Sequence, residues 1–253
     1  MVVLIIGVIV LVVGGALMYF GRRTQAKTNL MRAVATANAA ELSNLLPGEM
    51  VELKGTIRCA SPLMAEYVNK ACVWYSATMT REYEHREKDS DGHWETNRRS
   101  ETVSSNTQHT PFFVQDATGQ TQVDLTGAEI DAPVILDRFE DKPSGGNSGP
   151  SISIGGISIS GGGGGDKTLG YRYNVKALEI DKPVYVLGVY REDGTVGAPP
   201  EGSKTRKFIV SHRSEEDLSA SWRKHAYRLG LAAIACALIG AILIVVGIAL
   251  LVV

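Results

Sequence analysis

Two stretches without a charged side chain bracket this sequence. Residues 1–20 (MVVLIIGVIVLVVGGALMYF) and 229–253 (LGLAAIACALIGAILIVVGIALLVV) carry none, and every Lys, Arg, Asp and Glu lies between Arg22 and Arg228. About 20 consecutive apolar residues cross a bilayer as a helix, so the pattern predicts transmembrane helices over 2–20 and 229–253. The first lacks a basic leader and runs directly into Gly21-Arg22-Arg23, which favours a retained anchor over a cleaved signal. Tyr19, Phe20, Trp222 and Tyr227 fall where interfacial aromatics belong. Gly7 and Gly14 mark one face of the first helix, Gly240 and Gly247 one face of the second. In an antiparallel hairpin these pairs come to matching depths, and small residues let membrane helices approach closely.

Between the spans, the pattern changes period. Leu30, Met31, Val34, Leu42, Leu45 and Leu46 fall at roughly helical spacing and stop at Pro47-Gly48, predicting a juxtamembrane helix and linker over 21–48. From Val51 onward alternation dominates. VELKGTIRC, ACVWYSATMTREYEHRE, HWETNRRSETV, PVYVLGVY and KFIVSH read as strands, and PFFVQDATGQTQVDL as a hairpin turning at DATG. KDSDGH reads as a turn. Ser214-Glu215-Glu216-Asp217 opens a helix over 214–228 that leads into the second span. The expected fold class is mainly β (α+β), an OB-like small barrel or a sandwich over 49–213, flanked by two transmembrane helices. A flexible Gly/Ser insertion is expected at 144–168, where SISIGGISIS has a hairpin pattern turning at Gly155-Gly156.

Charge adds orientation. Arg22, Arg23, Lys27 and Arg32 follow the first span, and Arg213, Arg223, Lys224 and Arg228 precede the second. The positive-inside rule then places the central domain in the cytoplasm and both termini outside, in an integral, multi-pass protein. The net charge of −1 offers no basic groove, so nucleic acid is not an expected partner. In a reducing cytoplasm Cys59 and Cys72 are expected as free thiols.

Candidate chemistry is sparse. GGGGGDKT has the outline of a phosphate loop, but Asp166 stands where the second glycine must be, and a carboxylate there repels the anion. DSDGHWE resembles a calcium loop only until Arg98 takes the place of its bidentate glutamate. No H-E-x-x-H or C-x-x-C spacing occurs. Cys72 lies on an alternating strand beside Val73 and Trp74, which suits a small core residue better than a nucleophile paired with His85 or His109. Ser61, and Ser211 beside His212, lack a third partner identifiable from sequence. No catalytic residue, metal or cofactor is expected.

The succession LLPGEMVELKGTI, SPLMAEYVNKACVWYSATMTREYE, PFFVQDATGQTQVDLTGAEI, VYVLGVY and FIVSHRSEEDL between two membrane helices resembles the GIDE (BAM, "beside a membrane") family of membrane-bound E3 ubiquitin ligases. The positions that carry the resemblance are Pro62, Leu63, Cys72, Val73 and Tyr75, then Pro111, Phe112, Asp116 and Gly119. It implies a domain that binds target or partner proteins between two membrane helices. Family ligases recruit the conjugating enzyme through a RING with eight Cys/His ligands. This sequence holds three cysteines, which resembles the RING-less prokaryotic members and a plasma-membrane location. The expected role is a protein-interaction scaffold or adaptor whose partners are the bilayer, an unidentified membrane or envelope protein, and another copy of itself. A ligase component relying on a RING from another chain is the alternative, and an OB-like binder of nucleic acid or a small ligand the second.

Overall fold

The computed structural model describes residues 1–34, 36–88, 90–141, 152–154, 157–159, 166–200, 203 and 207–252. It is mostly β, with one long apolar helix at each end of the chain, and the chain divides into two compact units.

The first unit contains residues 1–56, 113–131 and 183–253. Helix α1 (Val2–Ala33) runs unbroken, so the apolar span and the basic stretch after it are one element. The helical spacing expected to continue through Leu46 is overridden. Val34 turns extended, and Thr36 forms a parallel bridge to Glu52 while the Ala37 N–H donates to the Glu52 carbonyl at 2.9 Å. Pairing with a strand suits β-branched Val34 and Thr36 better than another helical turn. A single 3-10 element, Ala39–Asn44, comes after it and buries Leu42.

A closed ring of five strands comes next: β1 (Met50–Arg58), β5 (Phe112–Gln115), β6 (Gln120–Val123), β13 (Val196–Gly197) and β12 (Pro183–Tyr190), which returns to β1. This is the small barrel among the expected alternatives. Closing the ring needs a close approach of β1 to β5, and Gly55 permits it. A Cβ at Gly55 would stand 2.5 Å from the Gln115 carbonyl oxygen. Strands β14 (Ile209–Ser211) and β7 (Glu129–Asp131) extend the sheet beyond β12.

Strand β12 lacks polar alternation because both of its faces are covered. In the register of β1 with β12, Leu53 stands opposite Val186, and Glu52 opposite Leu187 on the other face. Val51, Leu53, Val114, Val123, Val186 and Val196 are buried. Tyr185 and Leu187, on the Glu52 face, cluster with Ile209 and Leu218 under Val34, Met50 and Trp222. Helix α2 (Glu215–Val252) and the residue that ends α1 thus roof one wall of the sheet.

The second unit contains residues 57–112 and 132–182. Strand β3 (Ala71–Lys88) is its spine, with β2 (Leu63–Met64) and then β4 (Trp94–His109) on one edge. Strands β11 (Lys167–Glu179) and β8 (Val134–Asp141) continue from the other edge. Cys72, Tyr75, Ala77, Val175 and Ala177 form its core, covered by Ala65, Tyr67, Val68, Ile135 and Leu136.

Within the insertion, β9 (Ile152–Ile154) and β10 (Ile157–Ile159) pair antiparallel, as the alternation predicts. Its turn Gly155-Gly156, and residues 144–151 and 160–165, lie outside the described residues. The insertion ends earlier than 168: Lys167 and Thr168 already pair with Glu84 and Tyr83 in β11.

Candidate functional site

The expected site residues are divided between the two units: Pro62, Leu63, Cys72, Val73, Tyr75, Pro111 and Phe112 belong to the second, Asp116 and Gly119 to the first. The Cys72 thiol is fully buried and donates to the Leu63 carbonyl at 3.7 Å. Burial, with the nearby charge of Glu179, pushes it up to about 11, so no thiolate is available near neutral pH. His85 lies thirteen residues along the same strand, about 40 Å away at strand rise, with Nδ1 2.6 Å from Asp166. Val73 and Phe112 are fully buried. Tyr75 is anchored by Asn106, whose amide donates to its hydroxyl at 3.2 Å, and burial beside Glu66 raises its pKa. The Pro111 carbonyl accepts from the Cys59 thiol at 3.7 Å.

Asp116 holds the β5–β6 turn. Its Oδ1 accepts from the Thr118 N–H and hydroxyl, both at 2.7 Å, and from the Gly119 N–H at 3.0 Å. Its Oδ2 takes the Ala39 N–H at 2.7 Å. Burial alone would raise this carboxyl, but the donors outweigh it and the pKa is lowered. Nothing in this set presents a nucleophile, base or ligand.

The third partner of Ser211 and His212 is Asp131, out of reach of sequence reasoning at a separation of 80 residues. Ser211 Oγ donates to Asp131 Oδ2 at 2.7 Å, and Arg213 grips the same carboxylate with Nε at 2.7 Å and Nη2 at 2.9 Å. His212 uses Nδ1 on the Asp131 carbonyl at 3.0 Å, so the serine hydroxyl faces a carboxylate rather than an imidazole. That is a clamp and not a triad. It fixes the chain just before Ser214, whose Oγ accepts the Asp217 N–H at 3.2 Å and starts α2. Burial would raise the Asp131 pKa, but the bidentate guanidinium and Ser211 bring it below the usual carboxylate range. Its contribution is present above about pH 4 and is lost as pH falls through the depressed folded value. Asp131→Asn should cost about 1–3 kcal/mol at neutral pH and much less in acid. Unfolding of the detergent-solubilised chain at the two pH values checks this.

The helices are long enough and apolar enough to cross a membrane over Val2–Arg22 and Asp217–Ala249. Only 11% and 17% of these apolar stretches are buried, far less than core helices of a soluble protein would be. Ile5, Val12, Tyr227, Leu238, Ile242 and Val245 stand exposed. The helices pack against each other through their glycine faces. A Cβ at Gly7 would lie 3.1 Å from the Gly240 carbonyl and 2.9 Å from Ile244 Cγ1; at Gly247, 2.9 Å from the Leu4 nitrogen. Gly7 and Gly247 therefore do not oppose each other directly but interleave along the seam. Gly14 faces Ala233 and Cys236, its virtual Cβ 3.2 Å from Cys236 Cβ. Gly14→Cys should consequently form an intrachain disulfide with native Cys236 under mild oxidation, and Cys236→Ser should abolish it. A gel under non-reducing conditions reads both.

A cleft of about 620 Å³ opens where β1 begins and β12 ends, lined by Pro47, Gly48, Val189, Tyr190, Pro199 and Pro200 among others. Gly48 adopts φ +96°, a region that favours glycine, and its N–H donates to the Tyr190 carbonyl at 2.8 Å. Arg191, also at the cleft, is engaged by Asp124 at 3.0 Å. With its guanidinium matched, the cleft suits an apolar group of a partner better than an anion. Among the described residues, no group of three or more His, Cys, Asp or Glu side chains is placed to hold a metal ion.

A β-barrel body thus carries two long, largely unburied apolar helices of a length and composition able to cross a membrane. The chain belongs to the GIDE family, described as E3 ubiquitin ligase, whose model matches residues 80–247. Pro111, Phe112, Asp116 and Gly119 lie inside that match, whereas Pro62, Leu63, Cys72, Val73 and Tyr75 precede it. No curated protein and no solved structure matches the chain.

Proposed function

We propose that this protein is a two-span membrane protein whose β-rich body acts as the partner-holding adaptor of a ubiquitin-ligase assembly at the membrane. The supporting observation is the pairing of a GIDE family match with two apolar helices that leave most of their surface unburied. Apolar side chains in that number are stable against lipid and costly against water. Transfer of ubiquitin needs a conjugating enzyme. The described residues offer a cleft that suits an apolar group and hold no zinc-ligand cluster, so the described part is assigned to holding the partner rather than to recruiting that enzyme. The arginines and lysines flanking both helices support a cytoplasmic domain.

Two measurements test the reading. The full chain should stay with membranes through alkaline carbonate extraction, and release into the wash overturns the membrane assignment. Affinity purification from detergent should bring down ubiquitin-pathway enzymes. If partners are captured without any of them, the simpler scaffold reading replaces the ligase one.

A further inference from the structure

Near its tip, the hairpin of β3 and β4 carries an excess of cations on one face. In its register Lys88 stands opposite Trp94, Arg86 opposite Thr96, and Glu84 opposite Arg98, while Lys167 of β11 pairs with Glu84. These residues share one face, with four cations against the single carboxylate of Glu84. On the reverse face Glu87 stands opposite Glu95 and is paired with Arg99 at 2.9 Å, and Asp166 reaches His85. Trp94 is 61% exposed, with Arg86 and Lys88 5.5 and 5.2 Å from its ring. A large aromatic held in the open beside cations is the composition of an interface anchor.

The second observation concerns the backbone. β4 extends over Trp94–His109 and pairs with β3 along one edge, and among the described residues no strand pairs with its other edge. Such an edge presents unpaired N–H and C=O groups to an incoming strand. A strand added there would place alternate side chains beside Trp94, Thr96 and Arg98. On that face carboxylates gain and cations are repelled.

We propose that the open edge of β4 receives an extended, acidic segment of a partner protein by strand addition, with Trp94 and Arg98 reading its side chains. The inference rests on the adaptor reading above and names the chemistry of the partner. An anionic bilayer is the lesser fit, because Asp91 in the turn between β3 and β4 places a carboxylate at the tip. A lipid surface also makes no use of an open strand edge.

The test uses the full chain in zwitterionic lipid nanodiscs and a fluorescein-labelled synthetic peptide of alternating Glu and Val, followed by anisotropy. The Glu-Val peptide should bind, weaken with added salt, and lose about tenfold in affinity with Trp94→Ala and again with Arg98→Glu. Its Lys-Val counterpart should not bind. A Glu-Val peptide N-methylated at alternate residues, which keeps the charge but cannot form a ladder, should also fail. Equal binding by the N-methylated peptide overturns strand addition, and equal binding by Trp94→Ala and Arg98→Glu overturns the site. Loss of peptide binding when the nanodiscs are made anionic, with a lipid-induced shift in tryptophan emission that Trp94→Ala removes, assigns the face to the bilayer and overturns the proposal. A chain that resists carbonate extraction yet ignores the peptide overturns this inference alone, leaving the adaptor reading in place.

Discussion

Glu52→Ala should destabilise the protein by about 3 kcal/mol, while Glu52→Gln should cost nearer 1 kcal/mol. Glu52 is 1% exposed, an unusual place for a carboxylate on a strand. It is tolerated because every neighbour answers it. The Thr36 hydroxyl donates to Oε1 at 2.6 Å, the Tyr185 hydroxyl to Oε2 at 3.0 Å, and Lys54 lies 3.1 Å from Oε1. Alanine would leave the buried Tyr185 hydroxyl and the Thr36 hydroxyl without this acceptor, remove the ion-pair partner of Lys54 and open a cavity. Glutamine keeps one acceptor and the volume. The order of the two variants in thermal unfolding from detergent is the measurement, and equal losses would show that volume rather than hydrogen bonding sets the cost. Thr36 also ties the segment that follows α1 to β1, so the alanine variant should raise protease sensitivity around residues 36–38.

Gly55→Val should be at least as harmful. Its Cβ would come 2.5 Å from the Gln115 carbonyl oxygen and 2.7 Å from Val114 Cγ1. Overpacking costs about 1–3 kcal/mol where side chains can move. Here the nearest obstacle is backbone of the paired strand, so relief requires parting β1 from β5 and opening the ring. The expected outcome is a loss of about 3 kcal/mol or more, with Gly55→Ala already showing most of it. Gly119→Ala is the control: its nearest contact would be Ala39 Cβ at 3.6 Å, and little change is expected. Stability of the three variants in urea ranks them directly.

Much of this architecture is legible in the sequence because it depends on local rules. Two charge-free ends, the DATG turn between β5 and β6, the KDSDGH turn between β3 and β4, and Ser214 at the head of α2 all declare themselves within a few residues. What is hidden depends on distance along the chain. The two units are each assembled from separated segments, so a single β-rich region over 49–213 looks continuous in sequence. β13 has only two residues, too few for alternation to register. β11 pairs on both edges and carries two register shifts against β3, which blurs its period across YRYNVKALEI. The helical spacing after Ala33 misleads because Glu52 captures Thr36.

The candidate site is less legible than the fold for the same reason. Asp131 meets Arg213 across 82 residues, and the cleft collects Pro47, Thr126, Tyr190 and Pro199 from four segments. The motif positions fare differently: Cys72 reads as a small core residue from its alternating strand and is buried, whereas the grip of Asp116 on Ala39 has no local signature.

The roof over β12 makes the foot of α2 and the end of α1 part of the folded body instead of a detachable leash. Pruning the chain back to its strands would strip Val34, Leu218 and Trp222 from Tyr185, Leu187 and Ile209, baring a greasy wall to water. A displacement of either helix would consequently be felt first by the barrel itself.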